Sequence, residues 1–229
     1  MKKIKLGVLF SGGKDSCLAL SHALKSGEVR CLITILSENP ESYMFHTPNI
    51  LLAEKQAEAI GLPIIMHKTK GIKEEELKDL KKAIQEAKKK YNIQGLVTGA
   101  VASIYQASRI KSLCEELDIE CINPLWKKDQ IGVLKEVIKE KFDVMIMGVF
   151  ALGMDKFLGK KIDKVFIQDI KKLQDKYGVN PAGEGGEFES LVLDAPFFKK
   201  KIIIKKSHEL GKTDSKILKI DEIELKEKK

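Results

Sequence analysis

Along the first half of the chain, short apolar runs alternate with helical spacings. Leu6–Phe10 is a continuous apolar run, followed by Gly12-Gly13 and then by Cys17, Leu20 and Leu24, which share one helix face. Cys31–Leu36 reads as a second buried strand. Thr47-Pro48 supplies an N-cap and a first helical residue, and Gly61 ends the helix they open. Leu62–His67 is a third strand. Leu77, Leu80, Ile84, Ala87 and Tyr91 form the apolar stripe of a long helix, with Glu74–Glu76 at its start and Lys88–Lys90 at its end, complementing the helix dipole. Leu96–Ala100 is a fourth strand, Ile110, Leu113 and Leu117 mark another helix, and Ile119–Leu125 is a fifth strand. This alternation predicts an α/β fold, an open, parallel, doubly wound sheet of about five strands spanning residues 1–125.

The pattern then changes. Ile131, Leu134 and Ile138 lie on a helix, and Val144–Leu152 is a strongly apolar run. A helix covers about residues 162–177, and β-type runs follow at Ser190–Leu193, Ile202–Ile204 and Ile217–Leu225. Residues 126–229 are expected to form a smaller α+β module, its lysine-dense tail a surface hairpin.

With 229 residues, 43% of them hydrophobic, the chain can bury a sizeable core. It holds no apolar stretch of about 18 residues, so no membrane partner is expected. Met1-Lys2-Lys3 runs straight into the first strand, which suggests a cytoplasmic protein without a leader. Cys17, Cys31, Cys114 and Cys121 sit in apolar settings without a Cys-x-x-Cys pair, as packing residues of a reduced protein do. The net charge of +8 is almost all lysine, and arginine occurs only at positions 30 and 109. These lysines are spread along the chain and not interleaved with aromatics. They fit a solvated, thermophile-like surface and give no reason to expect a stable nucleic-acid partner.

Two stretches carry chemistry. In Ser11-Gly12-Gly13-Lys14-Asp15-Ser16, between a strand and a helix, the glycines let successive backbone N–H groups converge on an anion at the helix start. Ser11 and Ser16 add hydroxyls, and Lys14 adds a cation. The ligand implied is phosphate. A Walker A loop is excluded, because Val8 stands where its first glycine belongs. The second stretch, Asn180–Glu189, gathers Glu184, Glu187 and Glu189 around Gly183, Gly185 and Gly186, a grouping that suits a metal ion, a cationic substrate group or a plain acidic turn. Elsewhere, the Ser37–Thr47 loop with Tyr43, Met44, Phe45 and His46 lies beyond a strand's carboxyl end, where such folds bind ligands. Thr98 and Gly99 close the fourth strand, and Arg109, at the start of the next helix, can hold a phosphate or carboxylate bidentately. Trp126 is the only tryptophan.

Ser-Gly-Gly-Lys-Asp-Ser resembles the PP-loop of the N-type ATP pyrophosphatases. Gly183-Glu-Gly-Gly-Glu-Phe-Glu189, Leu191–Pro196, Ser42–Met44, Pro124–Trp126 and Ala151–Gly153 together resemble the diphthine–ammonia ligase family of archaea and eukaryotes, and the chain is expected to be of the archaeal type. The resemblance implies a HUP-type PP-loop domain and amidation of the diphthine carboxylate of translation elongation factor 2, with ammonium and ATP, through an acyl adenylate. It also implies ATP and Mg²⁺ as cofactors. Lys14, Asp15 and Ser16 are then catalytic, with Asp15 either helping to hold magnesium or fixing the loop. Ser11, Gly12, Gly13, Lys14, Asp15, Ser16, Leu36, Thr98, Gly99 and Arg109 hold ATP. Tyr43, Tyr105, Gln106, Trp126, Glu184, Gly185, Gly186, Glu187 and Glu189 meet the acceptor, the glutamates with Phe188 or Trp126 cradling its quaternary ammonium or else holding magnesium. Free ammonium is the expected nitrogen donor, since position 2 is lysine and no glutaminase domain is evident. The competing readings are a PP-loop tRNA-modifying enzyme and a regulatory ATP-binding module, and a homodimer is left open. The ligase reading expects the two stretches to face each other across a cleft between the modules.

Overall fold

The computed structural model describes residues 3–39, 49–213 and 215–228. Tyr43 and the Thr47-Pro48 helix entry lie outside them. The chain divides into two units, one formed by Met1–Ser11 and Asp15–Trp126, the other by Gly12–Lys14 and Lys127–Lys229.

The first unit alternates strand and helix: β1 (Lys5–Leu9), α1 (Lys14–Ser26), β2 (Glu28–Ser37), α2 (Leu52–Ile60), β3 (Ile64–Thr69), α3 (Glu76–Tyr91), β4 (Gly95–Val97), α4 (Ile104–Glu116) and β5 (Glu120–Ile122). The five strands pair in parallel in the order β3-β2-β1-β4-β5. The chain builds outward from β1 to β3, then crosses back to lay β4 on the other side of β1. That reversal makes the carboxyl ends of β1 and β4 the switch point, where open sheets of this kind bind ligands. One face of the sheet buries Ile33, Ile35, Ile65 and Leu96 beneath Leu80 and Ile84 of α3 and Ile110 and Leu113 of α4. Leu6 and Val8, alternating with Gly7 and Leu9 along β1, are buried on the opposite side. Gly61, in a left-handed conformation with φ 80°, terminates α2 as expected.

The sequence reading placed the fourth helix near Ile110, with Arg109 at its start. It begins at Ile104, because Ser103 caps it and accepts from the Gln106 N–H, so Arg109 lies in its second turn. Ser-x-x-Gln is a capping-box spacing and was the signal for this start.

The second unit contains α5 (Gln130–Lys139), β6 (Asp143–Val149), a 3-10 turn (Asp155–Phe157), α6 (Lys164–Tyr177), β7 (Phe188–Asp194), β8 (Lys200–Lys212) and β9 (Ser215–Glu227). Its strands form an antiparallel sheet in the order β7-β6-β9-β8. The apolar Val144–Leu152 run therefore supplies an inner strand. Asp129 and Asp163 cap α5 and α6 by accepting from the N–H groups of Gly132 and Phe166. Phe166 meets Phe157 and Phe188 edge to face, with ring centroids 5.1 and 5.6 Å apart. The β8–β9 hairpin is longer than the apolar runs suggested. Its exposed outer half continues the ladder through polar residues, with the Lys205–Glu224 ion pair and a His208–Asp221 hydrogen bond across the strands.

Candidate phosphate loop and acidic loop

The β1–α1 loop is built by short-range bonds. Phe10 donates its N–H to the Ile33 carbonyl, and Thr34 Oγ1 donates to the Phe10 carbonyl, so the loop leaves the sheet at a fixed point. Gly12 has φ 81°, the left-handed conformation the turn requires. Ser16, in the first turn of α1, accepts from both the backbone N–H and the hydroxyl of Ser11, at 3.3 and 3.2 Å. Asp15 places a carboxylate in the same turn. Gly99, just past β4, lies so close that a Cβ there would fall 2.9 Å from the Asp15 carbonyl and the Ser16 nitrogen. Thr98 is buried, and its hydroxyl accepts from the Ala100 N–H, shaping the strand end. Ser11, Asp15, Ser16, Thr98 and Gly99 are thus brought together at the switch point of the first unit.

The other residues singled out in this unit are placed differently. Leu36 sits near the carboxyl end of β2, opposite Lys68. Arg109 and Tyr105 both engage Glu74: the guanidinium donates from Nη2 at 2.9 Å, and the phenol donates at 2.9 Å. The hydrogen bond from Arg109, followed by that from Tyr105, holds the Glu74 carboxyl below the usual range. The Gln106 backbone N–H donates to the Ser103 cap, and Trp126 is half-buried, its backbone N–H donating to the Asn123 carbonyl.

In the second unit, the tip of the loop meets the acidic stretch. Lys14 is 3% exposed; its Nζ donates to the Ala182 carbonyl at 2.5 Å and lies 5.1 Å from the centroid of the Phe188 ring. Its backbone N–H donates to Ser190 Oγ, and the Gly12 carbonyl accepts from the Val192 N–H. The sequence reading offered Phe188 as a face for a substrate cation. In the structure the Lys14 ammonium lies over that ring, which also packs edge to face on Phe166.

The acidic loop is tied to itself. Asn180 Oδ1 accepts from the N–H groups of Ala182 and Glu184. Glu187 accepts from Asn180 N–H through Oε1 at 3.0 Å and from Gly185 N–H through Oε2 at 2.9 Å. Gly183 and Gly186 turn the loop with φ 74° and 82°. Glu184 and Glu189 are partly exposed, and Gly185 and Gly186 are exposed. Asn180 and Ala182 fall within the stretch read from the sequence, but neither they nor Ser190 are assigned a role there. A carbonyl has no side-chain signature, and only Asn180-Pro181 carried a local signal, that of an Asx turn.

Among the described residues, no three or more His, Cys, Asp or Glu side chains are grouped as a metal site. The carboxylate that the β1–α1 loop itself carries is that of Asp15, in the first turn of α1. No helix among the described residues is long and apolar enough to cross a membrane.

Two family models match the chain, the diphthamide synthase N-terminal domain over residues 4–121 and the diphthamide synthase C-terminal domain over residues 129–225. The human diphthine–ammonia ligase is 33% identical over 225 residues, covering 89% of this chain and 84% of that protein. The Saccharomyces cerevisiae protein of the same name is 30% identical over 230 residues, 85% of this chain and 33% of its own length. Among solved structures, a predicted subunit of a tRNA methyltransferase from Methanocaldococcus jannaschii superposes with a TM-score of 0.44 at 21% identity, covering 84% of this chain and 98% of that one.

Proposed function

Because the chain belongs to the diphthamide synthase family, whose curated members include diphthine–ammonia ligases, we propose that it amidates the diphthine carboxylate of translation elongation factor 2 with ammonium and ATP. A carboxylate is a poor electrophile. Its oxygen attacks the α-phosphorus of ATP, the bond to the β-phosphate breaks, and pyrophosphate leaves. Ammonia then attacks the resulting acyl adenylate, AMP departs with the electron pair of the C–O bond, and the nitrogen sheds a proton.

The observation that carries this reading is the position of Lys14, the loop's cation, within the acidic segment at Ala182 and Phe188. The backbone of Gly12 and Gly13, the hydroxyls of Ser11 and Ser16 and the start of α1 hold the phosphates, and Lys14 offsets charge on the leaving pyrophosphate. Gly99 keeps the end of β4 tight against that helix start, and Thr98, Leu36 and Arg109 complete the nucleotide's surroundings. Magnesium, when bound, neutralises phosphate charge, with Asp15 as its carboxylate. In the second unit, Glu184, Gly185, Gly186 and Glu189 offer a partly exposed acidic edge that suits the quaternary ammonium of diphthine. Tyr43, Tyr105, Gln106 and Trp126 are proposed to contact the acceptor protein.

The test is AMP and pyrophosphate formation with elongation factor 2 bearing diphthine. Turnover should require that protein and ammonium, and Lys14→Met should abolish it. AMP formation stimulated by tRNA, or indifferent to the acceptor, would refute the proposal.

A further inference from the structure

We propose that Glu187 is a positioning residue for Lys14, and that its carboxylate does not bind substrate. Both of its oxygens are already in use, one on the Asn180 N–H and one on the Gly185 N–H, bridging the two ends of the loop that carries Ala182. The Ala182 N–H is itself tied to Asn180 Oδ1, and Gly183 N–H to the Asn180 carbonyl, so anchoring Asn180 anchors the peptide that presents the Ala182 carbonyl. That carbonyl receives the Lys14 ammonium, while Phe188, one residue beyond Glu187, supplies the ring beneath it. The chain of contacts runs from carboxylate to loop backbone to lysine head group. Lys14 is thereby held in one rotamer before any ligand arrives, and the ordering cost of a long flexible side chain is met in advance.

An ammonium held on a carbonyl inside a packed loop is shielded from reagents, and this gives a readout that needs no ligand. The full-length protein is treated with an amine-acetylating reagent, and labelling of individual lysines is followed by peptide mass spectrometry. In Glu187→Gln, whose amide can accept from only one of the two N–H groups, acetylation of Lys14 should accelerate about tenfold, the scale of one charge-assisted hydrogen bond lost. The exposed Lys161 serves as an internal standard and should be unchanged. Glu187→Asp keeps the charge but is one methylene short of bridging both N–H groups; it should give a smaller rise, and it replaces Glu187→Gln if that variant does not fold. Unchanged Lys14 labelling in the folded variant would overturn the assignment.

A second arm rests on the amidation reading above. With the diphthine-bearing acceptor, Glu187→Gln should lower kcat about tenfold while leaving the KM for acceptor within about twofold. A raised acceptor KM with kcat intact would overturn the positioning role and restore Glu187 to the acceptor site. If the wild type shows no acceptor-dependent turnover, the amidation reading fails, and the labelling arm alone decides the role of Glu187.

Discussion

Replacing Gly99 by alanine probes the packing that brings β4 against the phosphate loop. The added Cβ would sit 2.9 Å from the Asp15 carbonyl carbon and oxygen and from the Ser16 nitrogen, whereas ordinary contact begins at 3.4 Å, so backbone must retreat by about 0.5 Å. The obstructing atoms are the peptide between Asp15 and Ser16 in the first turn of α1, and no flexible side chain is available to yield. Overpacking of this kind costs about 1–3 kcal/mol. Gly99 is not in a left-handed conformation, so the cost is steric and not conformational. Urea denaturation should show that loss with the slope unchanged, and calorimetry should show weakened ATP binding, because the displaced turn carries Ser16. Stability within about 0.5 kcal/mol of wild type together with unaltered ATP affinity would refute the close-packing argument.

Three other outcomes follow from the packing and charges of the molecule. Burial acts to raise the Asp143 carboxyl, but hydrogen bonds and charges from Lys161 and Lys201 outweigh it and hold the group below the ordinary range. A depressed carboxyl stabilises above its unfolded pKa of about 4, and the contribution is lost as pH falls through the folded value. The stability gap between wild type and Asp143→Asn in denaturant titrations should thus be full at pH 7 and close in acid. Gly186→Ala meets no atom within 4 Å but must adopt φ 82°, so it should cost about 1–2 kcal/mol by conformation alone. Gly183→Ala adds a contact at 3.0 Å with the Phe188 carbonyl to the same penalty and should lose more in the same titration. The Cys114 thiol hydrogen-bonds to Cys121, which lowers the Cys121 pKa, whereas burial pushes Cys31 up to about 12. Iodoacetamide should therefore alkylate Cys121 first in the native protein and leave Cys31 unmodified, as peptide mass spectrometry would report.

Much of the first unit was legible in advance because its signals are local. The Gly12 turn, the apolar stripe of α3 and the Gly61 stop each depend on residues a few positions apart, and each lies where the pattern put it. The start of α4 was equally local, but its Ser103–Gln106 cap is polar, and a reading led by apolar spacing passed over it. In the second unit, the length of the β8–β9 hairpin depends on cross-strand pairing, and its exposed half shows no apolar alternation to read.

By itself, the sequence determined the order and type of the main elements, the glycine turn of the Ser11–Ser16 loop between strand and helix and the presence of a glycine-rich acidic stretch, since all of these follow from neighbours along the chain. Tertiary structure alone decided which partners those residues take. Lys14 finds the carbonyl of Ala182 across 168 residues, and backbone carbonyls look alike in any sequence. Three glutamates in one stretch are equivalent as letters. The fold distinguishes them by geometry, setting the Glu187 carboxylate on two backbone N–H groups of its own loop.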